Sequence, residues 1–349
     1  MSRIVFDCER MKYPNTGLFA YCYQLGQRLL HLAGEDTIVP FLPSYLQGIF
    51  GNDTEYLHHS PLYKFKMPVL NYDVWHSTYQ SSQYLPQLNR RIKVLLTIHD
   101  LNFLYDKRKS AKKKAVYLSR VQKNINRSDM IVCISDYAMK DVLEHCKVGS
   151  RPVKMIHNGT NQLEEPSLTA TSYRPLKKFL FSIGVINRKK NFHVLLPLLK
   201  DDHDMELLIA GPADDPDYLH YMHDKARTLG VENSVRMLGP ITEGEKAWYL
   251  RNCYAFTFPS LSEGFGLPVT EAMSVGKPLF LSSRTALPEI GRDVAFYFNE
   301  FDEEQMQKTF HKGMQDYHRE NMCEKIIKRS EDFCWLKSAR QYLELYRDL

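Results

Sequence analysis

Short apolar runs alternate with helical patterns along the whole chain. There are twelve such runs, and most are continuous and rich in Val, Ile, Leu and Phe, which is typical of strands buried on both faces. Helical periodicity between several of them favours parallel, doubly wound sheets in an α/β protein. The predicted strands are Arg3–Asp7, Thr37–Leu42, Tyr72–Ser77, Lys93–Asp100, Met130–Ser135, Val153–Asn158, Lys178–Gly184, Met205–Gly211, Val235–Gly239, Tyr254–Ser260, Pro278–Ser283 and Ala295–Asn299.

A polar segment, 161–175, interrupts this alternation and contains two prolines with several Ser and Thr residues. Its composition is typical of an interdomain linker, and 349 residues exceed the size at which a single core usually divides. We therefore predict two Rossmann-like domains, 1–165 and 176–335. Ligands of open α/β sheets bind outside the carboxyl ends of the strands, so two facing domains would share one cleft.

The stretch Pro259–Pro278, which reads PSLSEGFGLPVTEAMSVGKP, is the most informative part of the sequence. It follows a predicted strand, contains a glycine-rich loop, and enters a helix at Pro268. Loop amides and a helix N-terminus suit an anion such as a diphosphate. Glu263 and Glu271 cannot bind phosphate, but carboxylates accept hydrogen bonds from sugar hydroxyls. Together these features predict a nucleotide-sugar site.

Three consecutive cations, Arg188, Lys189 and Lys190, lie in a strand-to-helix turn. Cations are unfavourable at a helix start unless an anion binds there, so we favour phosphate binding over a solvated turn. In the first half, His99 ends a strand and Gly17 opens a helix. His99 could bond a substrate or be a half-buried structural histidine, and Gly17 could admit a phosphate or form an ordinary turn.

Charge is uneven along the chain. Residues 1–170 contain 22 Lys and Arg against 15 Asp and Glu, net +7, and the remainder contains 24 against 26, net −2. The segment Lys107–Arg127 is basic with apolar residues at helical spacing. It predicts either a helix lying on an anionic membrane or a solvated helix face. No nucleic-acid-binding module accompanies the charge, so nucleic acid is a less favoured partner.

Other features exclude several classes of protein. No apolar run reaches the length of a transmembrane helix, and the N-terminus lacks the pattern of a signal peptide. Seven scattered cysteines without a C-x-x-C pair favour a reducing cytoplasm. The pairs Asp202-x-Asp204 and Asp215-x-Asp217 lie in polar connections and are poor metal ligands by position. We expect no metal and no cofactor. The dinucleotide fingerprint G-x-G-x-x-G is missing after the predicted strands, which counts against a dehydrogenase.

The run SEGFGLPVTEA resembles the E-x7-E signature of retaining glycosyltransferases of family 4, with Glu263 and Glu271 at the two glutamate positions. Similar segments in family order span nearly the whole chain. The resemblance implies the GT-B fold, an acceptor held by the N-terminal domain and a nucleotide-sugar held by the C-terminal one. It also implies that the final helix, about 338–349, packs back on the N-terminal domain. Further matching segments are Ser182–Asn191, Leu208–Pro212, Val235–Pro240, Leu287–Ile290, Thr97–Asp100, Cys133–Ser135 and Ile156–Gly159.

By the same resemblance, Glu263 would contact donor-sugar hydroxyls and Glu271 the nucleotide ribose. Lys190 would neutralise the diphosphate, His99 would lie over the donor sugar, and Gly17 would lie near the phosphate. Many relatives place Arg directly after the glycine of the phosphate turn, where this chain has Val185; Arg188 or Lys189 would substitute. The backbone amides expected to touch the donor belong to Gly264, Phe265, Gly266 and Leu267.

We therefore expect a hexosyltransferase that uses a UDP-, GDP- or ADP-sugar and acts with retention, without a metal, by front-face substitution. The expected acceptor is a glycan or a lipid-linked glycan of bacterial surface polysaccharide synthesis, such as lipopolysaccharide or capsule. Two alternatives remain open at this stage: another GT-B enzyme, such as a 2-epimerase acting on UDP-GlcNAc or a phosphorylase, and a non-catalytic nucleotide-sugar-binding protein.

Overall fold

The chain forms two compact units in a computed structural model. The first comprises Met1–Gly159 and Cys334–Leu349, and the second comprises Thr160–Phe333. The structure describes residues 1–14, 16–65, 67, 71–87, 89, 91–169, 172–200 and 202–349. Two residues of the predicted linker, 170 and 171, lie outside the described residues.

The first unit is a seven-stranded parallel sheet with helices between the strands. The strand order is β3-β2-β1-β4-β5-β6-β7, with β1 (Arg3–Asp7), β2 (Thr37–Leu42), β3 (Leu57–His58), β4 (Val74–Ser77), β5 (Lys93–Ile98), β6 (Met130–Cys133) and β7 (Val153–Met155). Its helices are α1 (Gly17–Leu32), α2 (Ala111–Arg127), α3 (Asp136–His145) and the final helix of the chain, Trp335–Arg347. Short 3-10 helices span Glu9–Lys12, Ser44–Leu46, Pro61–Lys64 and Asn102–Leu104.

The final helix is fixed to this sheet by buried hydroxyl and imidazole groups. Tyr21 of α1 donates to the hydroxyl of Tyr342 at 2.9 Å, and the Tyr346 hydroxyl lies 2.6 Å from Nδ1 of His76. Nε2 of His76 lies 2.8 Å from the hydroxyl of Thr97. Burial lowers the pKa of His76 to about 3, so the imidazole is neutral and serves as a hydrogen-bonding core residue.

The second unit is a six-stranded parallel sheet of order β10-β9-β8-β11-β12-β13. Its strands are β8 (Lys178–Ile183), β9 (Met205–Ala210), β10 (Val235–Gly239), β11 (Ala255–Phe258), β12 (Leu279–Ser282) and β13 (Phe296–Phe298). Its helices are α4 (Pro216–Thr228), α5 (Glu243–Asn252), α6 (Leu267–Ser274), α7 (Leu287–Gly291), α8 (Glu303–Arg319) and α9 (Met322–Ser330), so the final helix is α10. Short 3-10 helices span Phe192–Leu199, Glu232–Ser234 and Arg292–Val294.

The predicted fold class is confirmed, because both units are parallel sheets of Rossmann-like topology with buried strands. All twelve predicted strands are present, several shorter by one to three residues where the apolar run continues into a loop. The strand β3 was not predicted, because it has only two residues and no apolar run of its own. The apolar segment Phe192–Leu199 is a 3-10 helix containing Pro197, whose missing amide disfavours α-helix.

Candidate active site

Lys190 and Glu263 meet at the carboxyl ends of two paired strands. Lys190 lies in the turn after β8, Glu263 lies in the loop after β11, and β8 pairs with β11 in the sheet. The ammonium of Lys190 donates to Oε1 of Glu263 at 2.7 Å, and the hydroxyl of Ser260 donates to the same oxygen at 2.5 Å. This edge is where open α/β sheets bind ligands.

Two glycines, Gly184 and Gly211, leave room for the Lys190 side chain and for the turn that carries it. Gly184 has φ of 148° and Gly211 has φ of 132°, conformations that favour glycine. A Cβ on Gly211 would lie 2.2 Å from the carbonyl oxygen of Gly184, and a Cβ on Gly184 would lie 2.8 Å from Cε of Lys190. The turn is also tied to the Glu263 loop, because the amide of Leu261 donates to the carbonyl of Lys189 at 2.9 Å.

The two charges of this pair respond differently to burial. Burial alone would raise the pKa of Glu263, but the ammonium groups of Lys190 and Lys189 outweigh it and lower that pKa. Burial lowers the pKa of Lys190, and Glu263 offsets this only in part. Glu263 therefore stays ionised, while the ammonium of Lys190 would gain from a further anion at this position.

Glu271, the second glutamate of the motif, lies on α6 in a separate buried pair. Its Oε1 accepts from the ammonium of Lys246 at 3.0 Å and from Nδ2 of Asn161 at 2.7 Å. Lys246 also contacts Glu243 at 2.6 Å. Burial raises the pKa of Glu271 despite these partners. Burial would lower the pKa of Lys246, but Glu271 and Glu243 together raise it.

The loop between the two glutamates ends in a left-handed glycine. Gly266 has φ of 115° and precedes Leu267, the first residue of α6, with Pro268 next. The ring of Phe265 is buried and packs edge-on against Phe333, with centroids 5.5 Å apart. Phe265 therefore anchors the loop through its side chain, and only its backbone remains for the predicted donor contact.

The remaining cations of the turn take different positions. The guanidinium of Arg188 lies over the rings of Tyr218 and Tyr221, at 5.7 Å and 5.5 Å from their centroids. Lys189 acts electrostatically on both members of the Lys190–Glu263 pair. Of the two predicted assistants of Lys190, Lys189 is thus the one whose charge reaches the pair.

Two of the predicted residues, His99 and Gly17, lie in the first unit. Nε2 of His99 donates to the carbonyl of Thr78 at 2.7 Å, which leaves Nδ1 as the acceptor of the neutral ring. Burial lowers the pKa of His99, so the ring is neutral at pH 7. Gly17 begins α1 after the N-cap Thr16. A Cβ at Gly17 would meet no atom within 4 Å, so packing does not require this glycine.

Sequence reasoning missed four residues that support the glutamates: Ser260, Thr285, Lys246 and Asn161. The hydroxyl of Thr285 accepts from the amide of Glu263 at 2.9 Å, and Thr285 has φ of 55°, unusual for a β-branched residue. Ser260 stands in the motif stretch itself and could have been singled out. The other three come from distant segments and carry no local pattern.

Two buried polar atoms near this site have no hydrogen-bond partner among the described residues. They are Nδ2 of Asn191 and Oγ of Ser262. Asn191 directly follows Lys190 and has φ of 60°, and Ser262 directly precedes Glu263. Buried polar groups are normally paired, so these two atoms are further candidates for hydrogen bonds to a ligand.

The basic segment Lys107–Arg127 is helical from Ala111, with Ser110 as its N-cap. Most of its cations are exposed, but Arg127 is buried and donates to the carbonyls of Pro86 and Ile92. The prediction that Arg127 belongs to a membrane-contacting surface is therefore wrong, because its guanidinium stabilises the interior. Within the described part of the chain, no helix is long and apolar enough to span a membrane.

The described residues include no group of three or more His, Cys, Asp and Glu side chains placed to hold a metal. Asp202 forms an ion pair with Lys178 at 2.6 Å, and Asp215 caps α4 by accepting from the amide of Tyr218 at 3.0 Å. The first aspartate of each Asp-x-Asp pair thus has a structural partner.

Sequence comparisons agree with this arrangement. Residues 172–333 match the family described as glycosyl transferases group 1, and residues 31–162 match the family described as glycosyltransferase family 4. The O-antigen chain mannosyltransferase B of Escherichia coli is 22% identical and covers 99% of both chains. A serotype-specific mannosyltransferase WbdA of Escherichia coli is 26% identical over 74% of this chain, which spans 34% of that longer protein.

Solved structures share the fold. HepE of Anabaena, determined in complex with UDP and glucose, aligns over 100% of both chains with a TM-score of 0.78 and 15% sequence identity. At this identity the similarity concerns the arrangement of the chain, two Rossmann-like halves, rather than the ligand.

Proposed function

The chain belongs to glycosyltransferase family 4 and has the GT-B fold, and from this premise we propose that it is a retaining hexosyltransferase. It transfers a hexose from a nucleoside diphosphate sugar to a glycan or lipid-linked glycan of bacterial surface polysaccharide. The O-antigen mannosyltransferases among its relatives support the acceptor class and make mannose the first sugar to test. HepE, solved with UDP and glucose, supports a nucleotide-sugar donor.

The observation that carries this proposal is the half-buried ion pair formed by Lys190 and Glu263 at a sheet's carboxyl edge. A diphosphate adjacent to Lys190 would restore the favourable environment that burial denies this ammonium. Lys189 adds a second positive charge. Negative charge develops on the leaving diphosphate in the transition state, so preorganised cations at this place lower the barrier.

The carboxylate of Glu263 is better suited to hold hydroxyl groups than to attack carbon. Its Oε1 already accepts from Lys190 and Ser260, and its lowered pKa weakens it as a base. We therefore propose front-face substitution. The bond from the anomeric carbon to the diphosphate oxygen breaks, the acceptor oxygen bonds to the same face, and the departing oxygen takes the acceptor's proton. Glu271 would hold the nucleotide ribose, and His99 would accept a donor-sugar hydrogen bond through Nδ1.

This step requires no metal if Lys190 and Lys189 stabilise the charge of the leaving diphosphate by themselves. Activity that survives EDTA would support that view, and a strict requirement for a divalent ion would contradict it. We further propose that the protein acts in the cytoplasm at the inner membrane face, where a lipid-linked acceptor is accessible. The exposed cations that would contact anionic lipid there are Lys107, Arg108, Lys112, Lys113 and Lys123.

The decisive experiment is a thermal-shift screen of UDP-, GDP- and ADP-sugars, followed by transfer assays on mannose-terminated acceptors. We expect one nucleotide series to stabilise the protein, and NMR of the product to show the donor's anomeric configuration. Inversion would exclude the front-face mechanism. Consumption of the donor without any acceptor would favour an epimerase, and stabilisation without turnover across the acceptor panel would favour a binding protein.

Gly17→Ala offers a steric test of the first unit. The new methyl group meets no protein atom within 4 Å, and Gly17 lies at a helix start where alanine is tolerated. If a phosphate approaches this backbone, the apparent donor affinity falls by about tenfold, a loss of roughly 1.4 kcal/mol, while the melting temperature stays within about 2 °C of wild type. Unchanged affinity would remove Gly17 from the site.

A further inference from the structure

A cavity of about 630 Å³ lies at the carboxyl edge of the sheet in the first unit. Its walls come from the segments that follow β1, β4 and β5, three adjacent strands, from one side of α2, and from Lys64 at the end of the 3-10 helix that follows β3. The volume is that of a small-molecule site. The cavity therefore occupies the position where an α/β sheet binds ligands, and none of the residues assigned to the donor lines it.

The cavity is rich in positive charge. Five cationic side chains line it against two carboxylates, those of Glu9 and Asp100. The cations are Arg10, Lys12, Lys64, Lys109 and Arg120. Glu9 contacts Lys12 and Arg10, and Lys109 contacts Asp106. Among the described residues, Lys64 and Arg120 have no carboxylate within 4 Å, so the cavity retains net positive charge that a bound anion would balance.

Aromatic rings hold these cations without neutralising them. The guanidinium of Arg10 lies 4.0 Å from the ring centre of Tyr79. Lys64 lies 5.7 Å from that of Tyr84, and Arg120 lies 5.9 Å from that of Tyr117. Cation–π contacts orient a charge but leave its hydrogen-bond donors available. The rings also offer flat apolar faces of the kind on which the C–H face of a pyranose packs.

We propose that this cavity binds a sugar phosphate or sugar diphosphate, and that the acceptor presents this group to the enzyme. The phosphate would take charge-assisted hydrogen bonds from Arg120 and Lys64, and the sugar ring would pack on the tyrosines. That the bound molecule is the acceptor rests on the proposed function, whereas binding of a phosphorylated sugar does not. A neutral glycan would form no ion pair with either Lys64 or Arg120.

The first test is equilibrium binding, measured by calorimetry on the full chain with mannose 1-phosphate and, separately, methyl mannoside. We expect the phosphate to bind at least about tenfold more tightly, and increasing salt to weaken only the phosphate. The double variant Arg120→Gln/Lys64→Gln should lose this preference. Its matched control, Lys140→Gln/Lys154→Gln, removes two exposed lysines of the same unit outside the cavity and should bind as wild type does.

Binding at the donor site is separated by repeating each titration in the Lys190→Ala background and with saturating nucleotide. A preference that persists there belongs to the cavity. The proposal would be overturned if the wild type bound mannose 1-phosphate and methyl mannoside equally well. It would also be overturned if the double variant kept the preference for mannose 1-phosphate. Arg120→Lys, which retains the charge but loses the planar fork, should bind with intermediate affinity and guards against a folding defect in the double variant.

Transfer assays then distinguish the sources of the phosphate. Three acceptors share one mannose-terminated oligosaccharide and carry an alkyl diphosphate, a diphosphate without alkyl chain, or an uncharged alkyl group. We expect the double variant to raise KM for both diphosphates about tenfold and to leave the uncharged acceptor unaffected. Preference for the alkylated diphosphate identifies a lipid-linked substrate, and equal use identifies a soluble one. If no nucleotide-sugar is turned over, the proposed function fails while the binding result stands.

Discussion

The two motif glutamates, eight residues apart, form two lysine pairs of opposite character. Glu263 and Lys190 lie 2.7 Å apart with side chains 13% and 15% exposed, whereas Glu271 and Lys246 lie 3.0 Å apart at 3% and 10%. In the first pair the pKa values of both partners are lowered. In the second, the pKa values of both are raised.

This difference tells which partner each pair leaves unsatisfied. Glu263 is held in its charged form, and Lys190 is the member that burial disfavours. Lys246 is held in its charged form by two carboxylates, and Glu271 is the disfavoured member. An anion would complete the first pair, and a hydrogen-bond donor would complete the second. A diphosphate and a ribose hydroxyl meet these two requirements in turn.

The largest expected effect is on stability, through Glu271→Ala. This change leaves the ammonium of Lys246 buried with only the exposed Glu243 as partner, and breaking such a buried pair costs about 3–5 kcal/mol in the free energy of unfolding. Glu263→Ala should cost less than half as much, because that pair is more exposed. Urea unfolding followed by circular dichroism measures both.

Adding Lys246→Met to Glu271→Ala provides the control for this comparison. The double variant removes both charges and should recover more than half of the lost stability. Two results would contradict this interpretation of the second pair. One is that Glu271→Ala lowers the free energy of unfolding no more than Glu263→Ala does. The other is that adding Lys246→Met lowers the free energy of unfolding further.

Lys190→Ala should have the largest effect on turnover. If Lys190 stabilises the leaving diphosphate, its loss lowers kcat by about 10²–10³-fold, the magnitude typical of one preorganised electrostatic donor. Lys177→Ala, which removes an exposed lysine of the same unit, serves as the matched control with unchanged kcat. Single-turnover measurements separate this loss from weaker donor binding, and a variant with normal turnover would remove Lys190 from the mechanism.

The pH dependence of turnover gives a third test. If the ammonium of Lys190 binds the diphosphate as proposed, it must be protonated to do so, and its pKa lies below the ordinary lysine value of 10.5. Activity should therefore fall as the pH rises through this lowered pKa, earlier than an ordinary lysine would allow. Lys190→Arg stays protonated throughout, so its kcat/KM at low donor concentration should lack this alkaline fall. An identical fall in both proteins would assign it to another group.

The sequence was sufficient to predict twelve of the thirteen described strands, for a definite reason. Buried parallel strands are continuous apolar runs, and Gly184, Gly266 and Pro268 mark backbone geometries that few residues adopt. Such signals are local. Ion-pair partners are set by which strands become neighbours, so Lys246 and Asn161 could not be assigned to Glu271 before the fold was known.

The basic segment Lys107–Arg127 also shows that the contacts of a side chain cannot be assigned before the fold is known. Arg127 has the spacing and charge of its neighbours along α2, and only the fold shows that it donates to the buried carbonyls of Pro86 and Ile92. Arg188 likewise lies in the predicted phosphate turn yet stacks over Tyr218 and Tyr221 of α4. Charge in a sequence identifies a candidate, but its orientation depends on residues far away in the chain.

The smallest effect is expected at Thr285, which acts on the first pair alone. Its hydroxyl accepts from the amide of Glu263 at 2.9 Å, so Thr285→Val, nearly equal in shape, removes one hydrogen bond worth about 1 kcal/mol. We expect kcat to fall about fivefold as the Glu263 carboxylate loses its fixed position, with Thr285→Ser keeping most of the activity. Thr285→Gly relieves the φ of 55° and separates strain from hydrogen bonding. Equal rates for Val and Ser would mean that Ser260 and Lys190 alone hold Glu263, because the backbone contact would then contribute nothing to catalysis.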